Sequence, residues 1–257
     1  MANNRENPAT KANNKAAGKT SLRQAQGKPK GSSKAGELAK TIVGLFFLPV
    51  VVSVSITFYE QFGSIGMSWS IEQQYFMMGV ITYCFMHLLV FKPSYIYVFG
   101  HESVHALATW LCLGQVKAFK VSSNGGSIST SKNNIFISLS PYFVPFYSIV
   151  AAIAIYIANN VFLENSVPYK YFLFFLGLTL AMHIVMTIDS LKTKQPDLVK
   201  AGYLISEIII YVINMIVIAG VLGLMTRGFS FTDFMANAWN LTIDMYQRIF
   251  AQLFMPR

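Results

Sequence analysis

Six stretches of this chain run for about 20 residues with almost no charge, the length a helix needs to cross the hydrocarbon of a bilayer. They are residues 41–59, 73–91, 94–113, 171–190 and 203–225, with the fourth in order lying inside the long uncharged run 133–163. In lipid no water satisfies backbone N–H and C=O groups, so each stretch must bond internally as a helix. The third is interrupted only by His101, Glu102 and His105, and the last by Glu207. Pro141 and Pro145 predict a kink in the fourth. Composition agrees: 54% of the 257 residues are hydrophobic and 12% charged, about half the charge of a soluble domain. The expected fold is an all-α polytopic membrane protein of about six transmembrane helices, integral to the membrane and multi-pass.

The net charge of +9 is concentrated at one end. Residues 1–40 hold Arg5, Lys11, Lys15, Lys19, Arg23, Lys28, Lys30, Lys34 and Lys40 against Glu6 and Glu37. With Asn, Ala, Gly and Ser filling the rest, this tail cannot bury a core and reads as disordered. It lacks the interleaved aromatics of a nucleic-acid surface, so no nucleic-acid partner is expected; anionic lipid headgroups or a topology signal suit it better. The first apolar stretch starts too far along, without a small-residue cleavage pattern, for an ordinary signal peptide. Cys84 and Cys112 sit in apolar surroundings, with neither the number nor the spacing of a disulfide framework or a thiolate metal site.

Two further segments have their own character. Residues 116–131 alternate apolar and polar around Asn124-Gly125-Gly126, a β-hairpin signal. Across 231–254, Met235, Trp239, Ile243, Tyr246, Phe250 and Leu253 recur at helical spacing, with Asp233, Asn237, Asn240, Asp244 and Arg248 opposite. That pattern predicts an amphipathic helix on the membrane surface. No internal repeat is visible.

The chemistry lies in His101-Glu102-Ser103-Val104-His105. A helix sets the two imidazoles one turn apart on one face, where both reach a single Zn²⁺. Glu102 beside them is placed to take a proton from an activated water and pass it to a leaving amine. Ionisable groups inside a span are costly and mark function by default.

Here the sequence resembles the site-2 protease family of intramembrane zinc metalloproteases. The likeness runs through His101 to Ala106, then Gly114-Gln115-Val116-Lys117-Ala118-Phe119-Lys120-Val121-Ser122-Ser123 and Gly125-Gly126. It continues in Ser140-Pro141-Tyr142-Phe143-Val144-Pro145 and Gln195-Pro196-Asp197-Leu198, and spans roughly residues 95 to 215. In that family the H-E-x-x-H helix soon ends at a glycine and enters a β-hairpin near the active site. The resemblance implies a zinc metalloendopeptidase that hydrolyses peptide bonds in or near transmembrane segments, its partners being a membrane protein or peptide substrate and the bilayer. It also implies an organisation: residues 1–40 as tail, 41–228 as the membrane-embedded metalloprotease-like domain, 229–257 as the C-terminal amphipathic helix.

Zinc needs a third protein ligand besides His101 and His105. The family takes an Asp from a later span, usually in an Asn-Pro-x-x-Pro-x-Asp-Gly context; this chain has Pro196-Asp197 without the Gly. The candidates are Asp197, Asp189, His183 and Glu207. Counting spans places Asp189 and Asp197 on the hairpin's face, and the Pro-Asp element favours Asp197. His183 and Glu207 are then candidates to orient a ligand, bind substrate or pack helices. The hairpin edge offers β-augmentation for an extended substrate, or is a plain connection. Two other readings are a pseudoprotease that binds transmembrane segments without cutting them, and a transporter with His101, Glu102, His183 and Glu207 as an ion path. The basic tail favours a cytosolic N-terminus; six spans then put the active-site face outside the cytosol, whereas the family works from the cytosolic side.

Overall fold

The computed structural model describes residues 34–65, 70–162, 168–193, 195–226 and 228–255. Most of the expected basic tail therefore lies outside the described residues, although a helix already begins at Lys34. Of the compact unit Met1–Ala39 only that helical start is described; the rest of the account concerns the unit Lys40–Arg257.

The fold is helical with one small sheet. The helices are α1 (Lys34–Phe46), α2 (Leu48–Gly63), α3 (Ile71–Phe85, continued by a π-helical turn Met86–Val90) and α4 (Ser94–Leu111). The hairpin strands β1 (Val116–Ser122) and β2 (Gly125–Thr130) follow. Then come α5 (Ile135–Leu139, with a 3-10 turn Ser140–Tyr142), α6 (Phe146–Ile157), α7 (Tyr169–Leu191), α8 (Pro196–Ala201), α9 (Tyr203–Met225) and α10 (Phe231–Phe254).

Among the described residues three helical stretches are long and apolar enough to cross a membrane: Leu38–Gly63, Tyr169–Leu191 and Tyr203–Met225. A fourth is formed if Ile135–Tyr142 and Phe146–Val161, bent by 70° at their break, count as one. The prolines explain the break: Pro141 and Pro145 remove two backbone donors and forbid a continuous ladder. Six spans do not follow from length and hydropathy. Helix α3 opens on Glu72, Gln73 and Gln74, and α4 carries the polar His101, Glu102 and His105.

Helix α3 nonetheless lies along α7 at very close range. A methyl group on Gly79 would strike the Phe174 carbonyl oxygen and Leu178 N, and one on Gly177 would strike the Phe76 carbonyl oxygen. Backbone meets backbone there, which only glycine permits. Further along, Tyr83 packs with Ala181, Met182 and Met186, so the two helices run parallel.

Helices α2 and α9 are also parallel. At one end Gly44 lies against Leu204; at the other, Ser64 and Ile65 lie against Gly228 just past α9. Helix α10 returns antiparallel to both. Phe234 meets Phe58 with centroids 6.2 Å apart, while Tyr246 stacks on Phe46 at 4.9 Å. The expected surface helix is thus amphipathic but lies lengthwise along α2. Its buried residues are Phe234 and Ala238, in a core with Val54, Ala219 and Leu222. Trp239, Phe250 and Leu253 remain exposed. Periodicity marks an apolar side, but not which part of it meets protein.

Candidate metal centre

Helix α4 delivers the motif on one face. The His101 and His105 rings lie with centroids 4.9 Å apart, edge to face. His105 and Glu102 are buried. The third member arrives from α8. Pro196 starts that helix, where its missing N–H costs nothing. Leu198 is fully buried with Leu139, Tyr142 and Ile210, and this anchor holds its neighbour Asp197 against the histidines. One ligand atom each from His101, His105 and Asp197 lie within 4.8 Å of one another.

The hydrogen bonds of His105 show what this group suits. Its Nδ1 lies 2.7 Å from the Ile137 carbonyl oxygen. A carbonyl only accepts, so Nδ1 carries the proton, and in the neutral ring Nε2 then presents a lone pair. That lone pair faces an Asp197 carboxylate oxygen at 3.5 Å. Two electron-rich atoms so close repel unless a proton or a metal cation lies between them. The residues therefore fit a divalent metal: two imidazoles and a carboxylate, one imidazole fixed from behind by a backbone carbonyl. Ile137 is itself set by Asn134, whose side chain caps α5 and accepts from Ile137 N at 2.7 Å.

Glu102 stands outside the ligand group, under the hairpin. The strands pair antiparallel, Ser122 with Gly125 and Val121 with Gly126, around a two-residue turn at Ser123-Asn124. Gly125 has φ +136°, a backbone conformation side chains disfavour. At Gly126 the strand crosses directly over the carboxylate. A Cβ there would sit 2.6 Å from Glu102 Cγ and 2.7 Å from Oε1.

The other candidates for third ligand are not part of the His101–His105–Asp197 group. Asp189 accepts from Lys92 Nζ and Lys192 Nζ, each at 2.8 Å, and lies 3.3 Å from His87 Nε2. His183 is buried and bonded to Asn214 at 3.1 Å. Glu207 is exposed on α9. Sequence reasoning missed Ile137 and Asn214. The first acts through its carbonyl, which every residue has; the second is one amide in an apolar run.

The fold and site together define a helical protein with membrane-compatible spans and a His-His-Asp group at metal-binding distance. The chain matches no family model, no curated protein and no solved structure.

Proposed function

We propose that this chain is a membrane-embedded zinc endopeptidase of the site-2 type, hydrolysing peptide bonds in or near transmembrane segments. One observation carries the reading: the ligand atoms of His101, His105 and Asp197 converge within 4.8 Å, with the separate carboxylate of Glu102 beside them. A donor set of two His and one Asp suits zinc, which when bound would supply a Lewis acid and a more acidic water.

The chain's own groups do the rest. Glu102 takes a proton from water as the water oxygen bonds to the scissile carbonyl carbon. It returns that proton to the amide nitrogen as the C–N bond breaks. Ile137 holds the His105 ring through its Nδ1 proton. The backbone at Gly126 keeps Glu102 from swinging outward. Strand β2 has β1 on one side only, so an extended substrate segment added to its other edge lies beside Glu102. A helical substrate has to unwind to expose a peptide bond, and strand addition stabilises the unwound form.

The parallel course of α2 and α9 bears on sidedness. Asp197 precedes α9, at the end where α1 runs into α2. The site then opens on the side from which the first span enters. With the basic tail cytosolic, that is the cytosolic side. Counting six spans gives the opposite assignment.

The test is metal analysis of purified full-length protein, followed by cleavage of membrane-protein substrates with Glu102→Gln beside wild type. Stoichiometric zinc with cleavage by wild type alone is the expected result. Zinc without cleavage across a broad substrate panel favours the pseudoprotease. Protein purified without chelators that holds no metal ends the enzyme reading.

A further inference from the structure

The two histidine ligands are served unequally from behind. His105 gives its Nδ1 proton to the Ile137 carbonyl. His101 Nδ1 is buried with no hydrogen-bond partner among the described residues. A buried ring nitrogen left so gives up its hydrogen bonds to water and gains none in return.

A small cavity adjoins that ring. Tyr97, Gly100, His101, Tyr147, Met182 and His183 are among its walls, and it leaves about 20 Å³ for a water-sized guest. Roughly 10–15 Å³ suffices for one water. Most of the polar groups on the wall are already engaged. The Tyr97 hydroxyl lies 2.9 Å from Ser190 Oγ, and the Tyr147 hydroxyl donates to the Ile96 carbonyl. The imidazoles of His101 and His183 are left.

The state of His183 follows from its neighbour. Asn214 Nδ2 donates to the carbonyls of Tyr142 and Ile210, at 2.9 and 2.8 Å. Its two protons are thereby used, and Asn214 Oδ1 can only accept. His183 Nε2, 3.1 Å away, must then be the donor. A neutral ring with its proton on Nε2 has an acceptor at Nδ1. The cavity thus has on its wall one ring whose Nδ1 has no partner among the described residues, and which carries its proton there if Nε2 turns to a metal, and another whose Nδ1 is an acceptor.

We propose that one ordered water in this cavity accepts from His101 Nδ1–H and donates to His183 Nδ1, so that His183 orients His101 for metal binding through that water. His101 then repeats the arrangement of His105, Nε2 toward the metal, with a bridged imidazole in place of a carbonyl. Asn214 sets the direction of the chain by fixing which His183 nitrogen is protonated. This rests on the metal-site reading but not on proteolysis.

Two substitutions at His183 separate this role from packing. His183→Gln retains an N–H able to reach Asn214 but removes the acceptor at the Nδ1 position. His183→Asn keeps an acceptor there and loses the bond to Asn214. Zinc affinity of the full-length protein in detergent, measured by competition with a chromogenic chelator, should fall roughly 10–100-fold in the Gln variant and stay within a few fold of wild type in the Asn variant. Cobalt(II) in place of zinc should show an altered visible spectrum for Gln alone. Equal affinity in Gln and wild type, or equal losses in both variants, would overturn the proposal; so would wild-type protein that binds no metal. Tight zinc binding with the Gln–Asn difference but no cleavage of any substrate keeps the water bridge and removes the protease.

Discussion

Two aspartates near the same end of the helices, Asp189 closing α7 and Asp197 opening α8, have opposite surroundings. Asp189 faces groups that bring protons: two lysine ammonium groups at 2.8 Å and the His87 ring at 3.3 Å. The same ring is 3.1 Å from the Tyr83 hydroxyl through its Nδ1. Asp197 faces the lone pair of His105 Nε2 at 3.5 Å. The first carboxylate is neutralised where it stands, and it ties the α3–α4 junction to the end of α7. The second sits where a cation completes the arrangement. Residue type says little about a carboxylate's role; the protons facing it decide.

The sharpest way to break this comparison is to remove each carboxylate in turn. Asp197→Ala should lower zinc affinity by more than the roughly 10–100-fold that loss of an outer partner costs. Asp189→Ala should bind zinc near the wild-type level in the same competition titration. Equal losses would show that the ion cluster belongs to the metal site.

Next in size is the base. Glu102→Gln should cut turnover by about 10²–10⁴-fold with zinc content unchanged, read by cleavage rate beside metal analysis. Gly126→Ala pushes a methyl onto the same carboxylate, 2.6 Å from its Cγ. It should slow cleavage by up to about 10²-fold while zinc still binds.

Smaller effects fall on stability. Gly177→Ala forces α3 and α7 apart and should cost about 1–3 kcal/mol, seen as a lower thermal midpoint in detergent. Lys192→Ala removes one exposed partner of Asp189 and should cost less than about 1 kcal/mol. A larger loss there would mean the cluster does more than tie helix ends.

The sequence made some of this legible and hid the rest for physical reasons. The pair His101 and His105 needs only helical spacing to be seen, and the alternating pattern around Asn124-Gly125-Gly126 marks the hairpin, whose turn falls at Ser123-Asn124. Asp197 could be ranked above Asp189 because Pro196-Asp197 resembles the Pro-Asp element of the site-2 family. The hydrogen bond from His105 to Ile137 could not be read, since carbonyl groups leave no trace in residue identity. The directions of α2, α9 and α10 depend on which apolar faces meet, and an apolar run looks alike from every side. Of the six expected spans three, or four with the bent pair, meet the length and hydropathy of a membrane helix among the described residues; α3, which lies against α7 through two glycines, is not one of them.

That glycine contact limits how anything could reach the site through lipid. Helices joined backbone to backbone at Gly79 and Gly177 have no side-chain layer to slide over and no slack to give up. The α3–α7 seam is a closed wall.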